Sequence, residues 1–212
     1  MMVLGTVITV VGGTGIFAVF TDRATQGPNT ADSGPRPKAA DIQLSTATAD
    51  TNSAVTCGTF QDDLTTALWE AHDLQPFADI QRYLCIKNVG AAAVDVYMGA
   101  IDLQQSDPEC TGDEATVDAD CGSGAGHGQL ADALMIEIER IDCDGTFHLT
   151  LGNSLSALAT GSMPVTATSL PSGEKLCVKA HAEYPFNAPE ELIQRAQSDA
   201  VSWRLAFDAT AQ

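Results

Sequence analysis

The chain has 212 residues and a formal net charge of -18, from 10 Lys and Arg against 28 Asp and Glu. Such a surface repels phosphate backbones and anionic headgroups, which excludes nucleic acid as a partner. The length suits one domain with a sizeable core, and the acidity reads as solubility outside the cell or in brine, with cation binding the sharper alternative.

Residues 1–11 are uncharged and apolar and lead into GGTGIFAVFTD at 12–22. A membrane helix needs roughly 20 consecutive apolar residues. The run is shorter, so it reads as the core of a secretory signal, with Gly12, Gly13 and Gly15 ending its helix. No stable membrane span is expected after its removal. Val19, Phe20, Thr21, Asp22, Arg23, Ala24 and Thr25 can then pair as a strand. Residues 26–40, rich in Gly, Pro, Asn and Ser without an apolar period, form a linker.

Short β-type runs follow at 42–48, 55–60, 80–89, 93–103, 133–141, 147–151, 175–184 and 201–209, nearly all punctuated by turn residues. The last alternates most clearly: Val201, Trp203, Leu205, Phe207 and Ala209 interleave with Ser202, Arg204, Ala206, Asp208 and Thr210. Leu176, Val178, Ala180, Ala182 and Tyr184 do the same against Lys175, Cys177, Lys179, His181 and Glu183. A period of two marks half-buried antiparallel strands. Helical periodicity is confined to 62–72, 154–159 and 189–197, where Pro189 ahead of Glu190 and Glu191 suits a helix start. The fold class expected is all-β, a two-sheet sandwich with short helical excursions.

Six cysteines, an even number in an exported chain, predict disulfides rather than thiol chemistry. Cys110 and Cys121 bracket a polar loop and are the first expected pair. Cys85 with Cys177 and Cys57 with Cys143 is the arrangement then left to test. No C-x-x-C, H-E-x-x-H, G-x-S-x-G or phosphate loop is present, and His72, His127, His148 and His181 stand at no ligand spacing. No catalytic or cofactor-binding residue is expected, and His181 reads as a solvated surface histidine. In the acidic stretch 102–120, Asp107, Asp113, Glu114, Asp118 and Asp120 lie beside or between Cys110 and Cys121. A hard cation such as calcium takes six to eight oxygen ligands, which makes these residues metal candidates. The spacing fits no EF-hand, and a solvated loop is the preferred reading.

Four stretches together resemble the TasA/camelysin family of exported matrix-fibre and pilus subunits: GGTGIFAVFTD at 12–22, LQPFADIQRYLCIKNVG at 74–90, LPSGEKLCVKAHAEYP at 170–185 and AFDATAQ at 206–212. They are similar, in order, to the family's leader end, its turn and strand closing on a Lys-Asn-x-Gly corner, its second turn and strand, and its closing strand. The resemblance implies a jelly-roll-like sandwich and a SipW-type signal cut between Ala18 and Val19. The divisions are then a signal at 1–18, a donor strand and linker at 19–40, and the sandwich at 41–212.

It further implies a secreted structural subunit of biofilm-matrix fibres or pili, at the cell surface or in the matrix. Copies would join head to tail by donor-strand complementation, with Val19 to Thr25 as donor and Phe20 as its anchor. The partners expected are further copies of the chain and other matrix proteins, and no enzyme activity is expected. Two alternatives are a secreted camelysin-like metalloprotease and a monomeric calcium-binding surface protein.

Overall fold

Alternation over the last dozen residues builds one long face of the core, and the rest of the fold is arranged around it. The structure is a computed structural model describing residues 39–51, 54–64, 68–71, 78–107, 114–119, 121–122, 124–184, 189–197 and 199–212, with residues 16–24 and 70–71 described by their backbone alone. In chain order the elements are β1 (Ile16–Ala24), β2 (Ile42–Ala49), β3 (Val55–Cys57), β4 (Asp63–Leu64), β5 (Glu70–Ala71), β6 (Asp79–Asn88), β7 (Val94–Asp107), α1 (Glu114–Val117), β8 (Gly124–Ala125), α2 (Leu130–Ala133), β9 (Met135–Ile141), β10 (Phe147–Ser154), α3 (Leu155–Thr160), β11 (Met163–Pro164), β12 (Lys175–Glu183), α4 (Glu190–Arg195) and β13 (Ala200–Ala211).

Two sheets pack face to face. One runs β11-β7-β13-β1-β4, with β5 also on β1 and β8 on β7; the other runs β10-β9-β12-β6-β2-β3. Val201, Trp203, Leu205, Phe207 and Ala209 of β13 join Val94, Val96, Met98 and Ala100 of β7 in one buried cluster with Ile42, Leu44, Leu84, Ile86, Ile136, Ile138 and Val178 of the opposite sheet. Burying each large aliphatic side chain stabilises the fold by about 1.5–3 kcal/mol. The all-β sandwich expected from the alternation is what forms.

The Lys-Asn-x-Gly corner at 87–90 is a buried polar hinge between β6 and β7. Asn88 Nδ2 donates to the carbonyls of Ala92 and Leu170, and its Oδ1 accepts from Gly90 N–H. A Cβ at Gly90 would meet the Ala39 carbonyl oxygen and Asp41 nitrogen at 2.7 Å, so only glycine lets the two backbones approach.

Stretch 62–72 departs from expectation. Instead of a helix, its described residues form β4 and β5, both on β1. Leu64, Leu68 and Trp69 are buried as a helical period suggests, but the unpaired side of β1 offers main-chain partners. Tertiary pairing overrides local propensity, and Trp69 Nε1 donates to the Ile80 carbonyl at 2.9 Å.

The cysteine pairing also differs. Cys57 is bonded to Cys85 and Cys143 to Cys177, with Cα separations of 5.8 and 5.2 Å, rather than in the Cys85–Cys177 and Cys57–Cys143 arrangement left to test. Cys85 and Cys177 are direct cross-strand neighbours, and their sulfurs stand 3.5 Å apart without bonding. The Cys57 and Cys177 sulfurs are 3.9 Å apart. All these sulfurs converge in a second small cluster with Val55 and Ile141, so chain spacing carried no information about which partner each would take. Cys121 is disulfide-bonded; Cys110 lies outside the described residues.

Candidate functional site

The first candidate is the slot holding β1. Its backbone runs parallel to β13 over nine register pairs, from Ile16 opposite Val201 to Ala24 opposite Ala209. On its other side, among the described residues, it pairs with β4, through Phe20 opposite Leu64 and Thr21 opposite Asp63, and with β5, through Ile16 opposite Ala71 and Phe17 opposite Glu70. The other strand pairs of both sheets are antiparallel. Of the expected donor residues, Val19 to Ala24 lie in β1, paired with their own chain's β13, while Thr25 lies outside the described residues. The expected cut between Ala18 and Val19 falls inside β1.

The second candidate is a group of carboxylates that includes Asp107, Glu114 and Asp118, which are buried rather than solvated. Asp107 ends β7, Glu114 opens α1 and Asp118 follows α1, with relative exposures of 0, 0 and 6%. Asp113 and Asp120 lie outside the described residues. The sequence reading missed the fourth member, Asp199, also 6% exposed. It stands just ahead of β13, where no local spacing links it to a loop some eighty residues earlier.

Asp107 Oδ2 accepts from Gly122 N–H at 2.7 Å. Asp199 Oδ2 accepts from the N–H groups of Gln129 at 2.5 Å and Leu130 at 3.1 Å, and a Cβ on Gly128, whose φ is +109°, would stand 3.1 Å from Asp199 Oδ1. Oδ1 of both Asp107 and Asp199 is buried without a hydrogen-bond partner. Oxygens of Asp107 and Glu114 and the Cys121 sulfur lie within 4.8 Å of one another; the sulfur, held in a disulfide, is no thiolate ligand. Burial pushes the Asp199 carboxyl up to about 7; the Asp107 and Glu114 charges push the same way, against hydrogen bonds from Gln129 and Leu130.

The described histidines do not converge. His181 is buried rather than solvated, because neighbouring carboxylates hold it: Nδ1 is 3.0 Å from Asp79 and Nε2 3.4 Å from Glu139. His148 Nε2 meets Asp142 at 2.8 Å, His127 is exposed, and His72 lies outside the described residues. Among the described residues, metal-ligating side chains cluster only in the bridged sulfurs and in the Asp107 group.

Fold and site together define a class: an all-β, two-sheet sandwich carrying disulfide bridges, whose N-terminal strand lies beside its C-terminal one. No family model and no curated protein matches the chain. Among the described residues no helix is long and apolar enough to cross a membrane.

Proposed function

We propose that the protein is an exported structural subunit of extracellular fibres or pili, assembled by placing the N-terminal strand of one copy in the slot of the next. The observation that carries this is the parallel register of β1 on β13, the one parallel pairing among the described strands, of which Val19 to Ala24 of the donor take six of the nine pairs. Seventeen residues, Gly and Pro among them, separate Ala24 of β1 from Ile42 of β2. A segment of that length can extend to roughly 60 Å at about 3.3 Å per residue, enough to reach a neighbouring molecule.

Leaving its own slot for an identical one in another copy exchanges equivalent contacts, so concentration and the linker decide which is occupied. Main-chain pairing supplies affinity and alternate side chains supply register. Donor and acceptor surfaces differ, so the contact is head to tail and propagates without closing. The disulfides suit an oxidising space, in keeping with a matrix or cell-surface location and a structural rather than catalytic role.

The test is negative-stain microscopy of the chain starting at Val19 beside one lacking residues 19–26. Filaments from the first and none from the second are expected. Filaments from both would refute the proposal.

A further inference from the structure

We infer that the Cys57–Cys85 and Cys143–Cys177 bridges form one thiol-exchange centre, in which a small thiol drives exchange of partners to Cys85–Cys177 and Cys57–Cys143. Cys85 and Cys177 stand directly opposite each other on β6 and β12. Leu84, Ile86 and Val178 beside them point into the main core, so the two cysteines share the other face of the sheet, in a smaller cluster of their own. Cys177 Sγ lies 3.5 Å from Cys85 Sγ and 3.9 Å from Cys57 Sγ, in contact with both atoms of the neighbouring bridge. Directly opposed residues of antiparallel strands have Cα atoms about 4.5–5.5 Å apart, inside the range that a disulfide spans. A Cys85–Cys177 bond therefore needs side-chain rotation and no backbone shift. Val55 N–H donates to the Cys143 carbonyl at 2.8 Å, which holds the β9–β10 turn against β3, and Cys57 and Cys143 pack on the same small cluster.

Burial decides where exchange starts. Cys85 and Cys177 are 0% exposed, whereas Cys57 and Cys143 are half-buried, so a thiolate from solution attacks Cys143 Sγ. The Cys143–Cys177 bond breaks, its electron pair leaves on Cys177, and Cys143 becomes a mixed disulfide with the small thiol. The Cys177 thiolate then attacks Cys85 Sγ, which forms Cys85–Cys177 and releases Cys57 as a thiolate. Cys57 attacks the Cys143 sulfur of the mixed disulfide, forms Cys57–Cys143 and returns the small thiolate to solution. Each step trades one disulfide and one thiolate for another such pair, so no oxidant or reductant is consumed. The observed bridges tie β3 and the β9–β10 turn each to a central strand of the sheet. The exchanged ones would join the central strands β6 and β12 to each other, and the two outer segments to each other.

The experiment uses the full chain, without denaturant, and non-reducing peptide mapping. Cleavage by trypsin after Lys38, Arg82, Lys87, Arg140, Lys175 and Lys179 puts Cys57, Cys85, Cys143 and Cys177 in separate peptides, with Cys110 and Cys121 together in another. Before thiol is added, the observed pairing should be recovered alone. After several hours, the time such rearrangement takes, with substoichiometric reduced glutathione at slightly alkaline pH, a peptide joining Cys85 to Cys177 should appear, matched by one joining Cys57 to Cys143. Cys143→Ser leaves Cys177 unbridged beside an intact Cys57–Cys85 bond; it should form Cys85–Cys177 with no added thiol and expose Cys57 to alkylation. Absence of the Cys85–Cys177 peptide from the thiol-treated chain, or free thiol confined to Cys177 in the variant, overturns the inference. Entry of Cys110 or Cys121 into the exchange would also overturn it, because unfolding, and not contact between the two bridges, would then be what reshuffles them.

Discussion

Trp69 and Trp203 meet with ring centroids 6.1 Å apart and planes inclined by 31°, reaching toward each other from the two flanks of the N-terminal strand. Trp203 belongs to β13 and Trp69 directly precedes β5, and both of those strands pair with β1. The two indoles are 2 and 0% exposed, so they form part of the apolar floor beneath the strand that completes the sheet.

Emission from these tryptophans therefore reports whether the slot is filled. A chain lacking residues 1–26 should emit at longer wavelength than the intact chain, and a synthetic peptide of residues 16–25 should reverse the shift. An unchanged spectrum on deletion would mean that β1 does not cover the pair. Trp203→Ala should destabilise the fold by about 3–5 kcal/mol, the usual loss for a large buried aromatic, measurable by urea unfolding.

The two bridges close loops with sequence separations of 28 and 34. Chain entropy alone assigns each about 3–4 kcal/mol of stability. Replacing Cys143 and Cys177 together by Ala should lower the urea midpoint accordingly. Non-reducing peptide mapping should recover Cys57 linked to Cys85, and a peptide linking Cys85 to Cys177 would contradict the pairing.

Acid titration has a signature on the opposite sheet. Burial, chiefly, raises the Glu137 carboxyl above its ordinary 4.5; Glu183, Glu139 and Asp79 add repulsion, and His181 pulls the other way. A native state that holds its proton after the unfolded chain has released it loses stability as pH rises from about 4.5 through the raised native value. Glu137→Gln should therefore raise Tm at neutral pH, by an amount worth under about 1 kcal/mol because the group is partly solvated. Near pH 3, where wild type is protonated in both states, the gain should vanish. An equal gain at both pH values would assign the effect to packing.

These particulars also show what the sequence discloses. The alternation of Val201 to Ala209 marks the central strand because a half-buried strand must repeat every two residues. Pro189 marks the start of α4, which begins at Glu190, and the Asn88 corner was legible as a Lys-Asn-x-Gly turn. Stretch 62–72 misled because Leu64, Leu68 and Trp69 are spaced like a helix face, while the partner that draws the stretch into strands comes from the far N-terminus. Asp199 was invisible because the backbone N–H groups of Gln129 and Leu130 that meet it come from a loop some seventy residues earlier. His181 sits at a position of polar alternation, yet flanking carboxylates make a buried seat for it.

The most direct measurement of strand exchange uses the register partners Arg23 and Asp208. Two differently tagged copies starting at Val19, one carrying only Arg23→Cys and the other only Asp208→Cys, are mixed at high concentration and oxidised. Donation between copies predicts a covalent heterodimer joined through those two positions, increasing with concentration. No heterodimer at any concentration, together with complete internal bridging in a single copy bearing both substitutions, would contradict it.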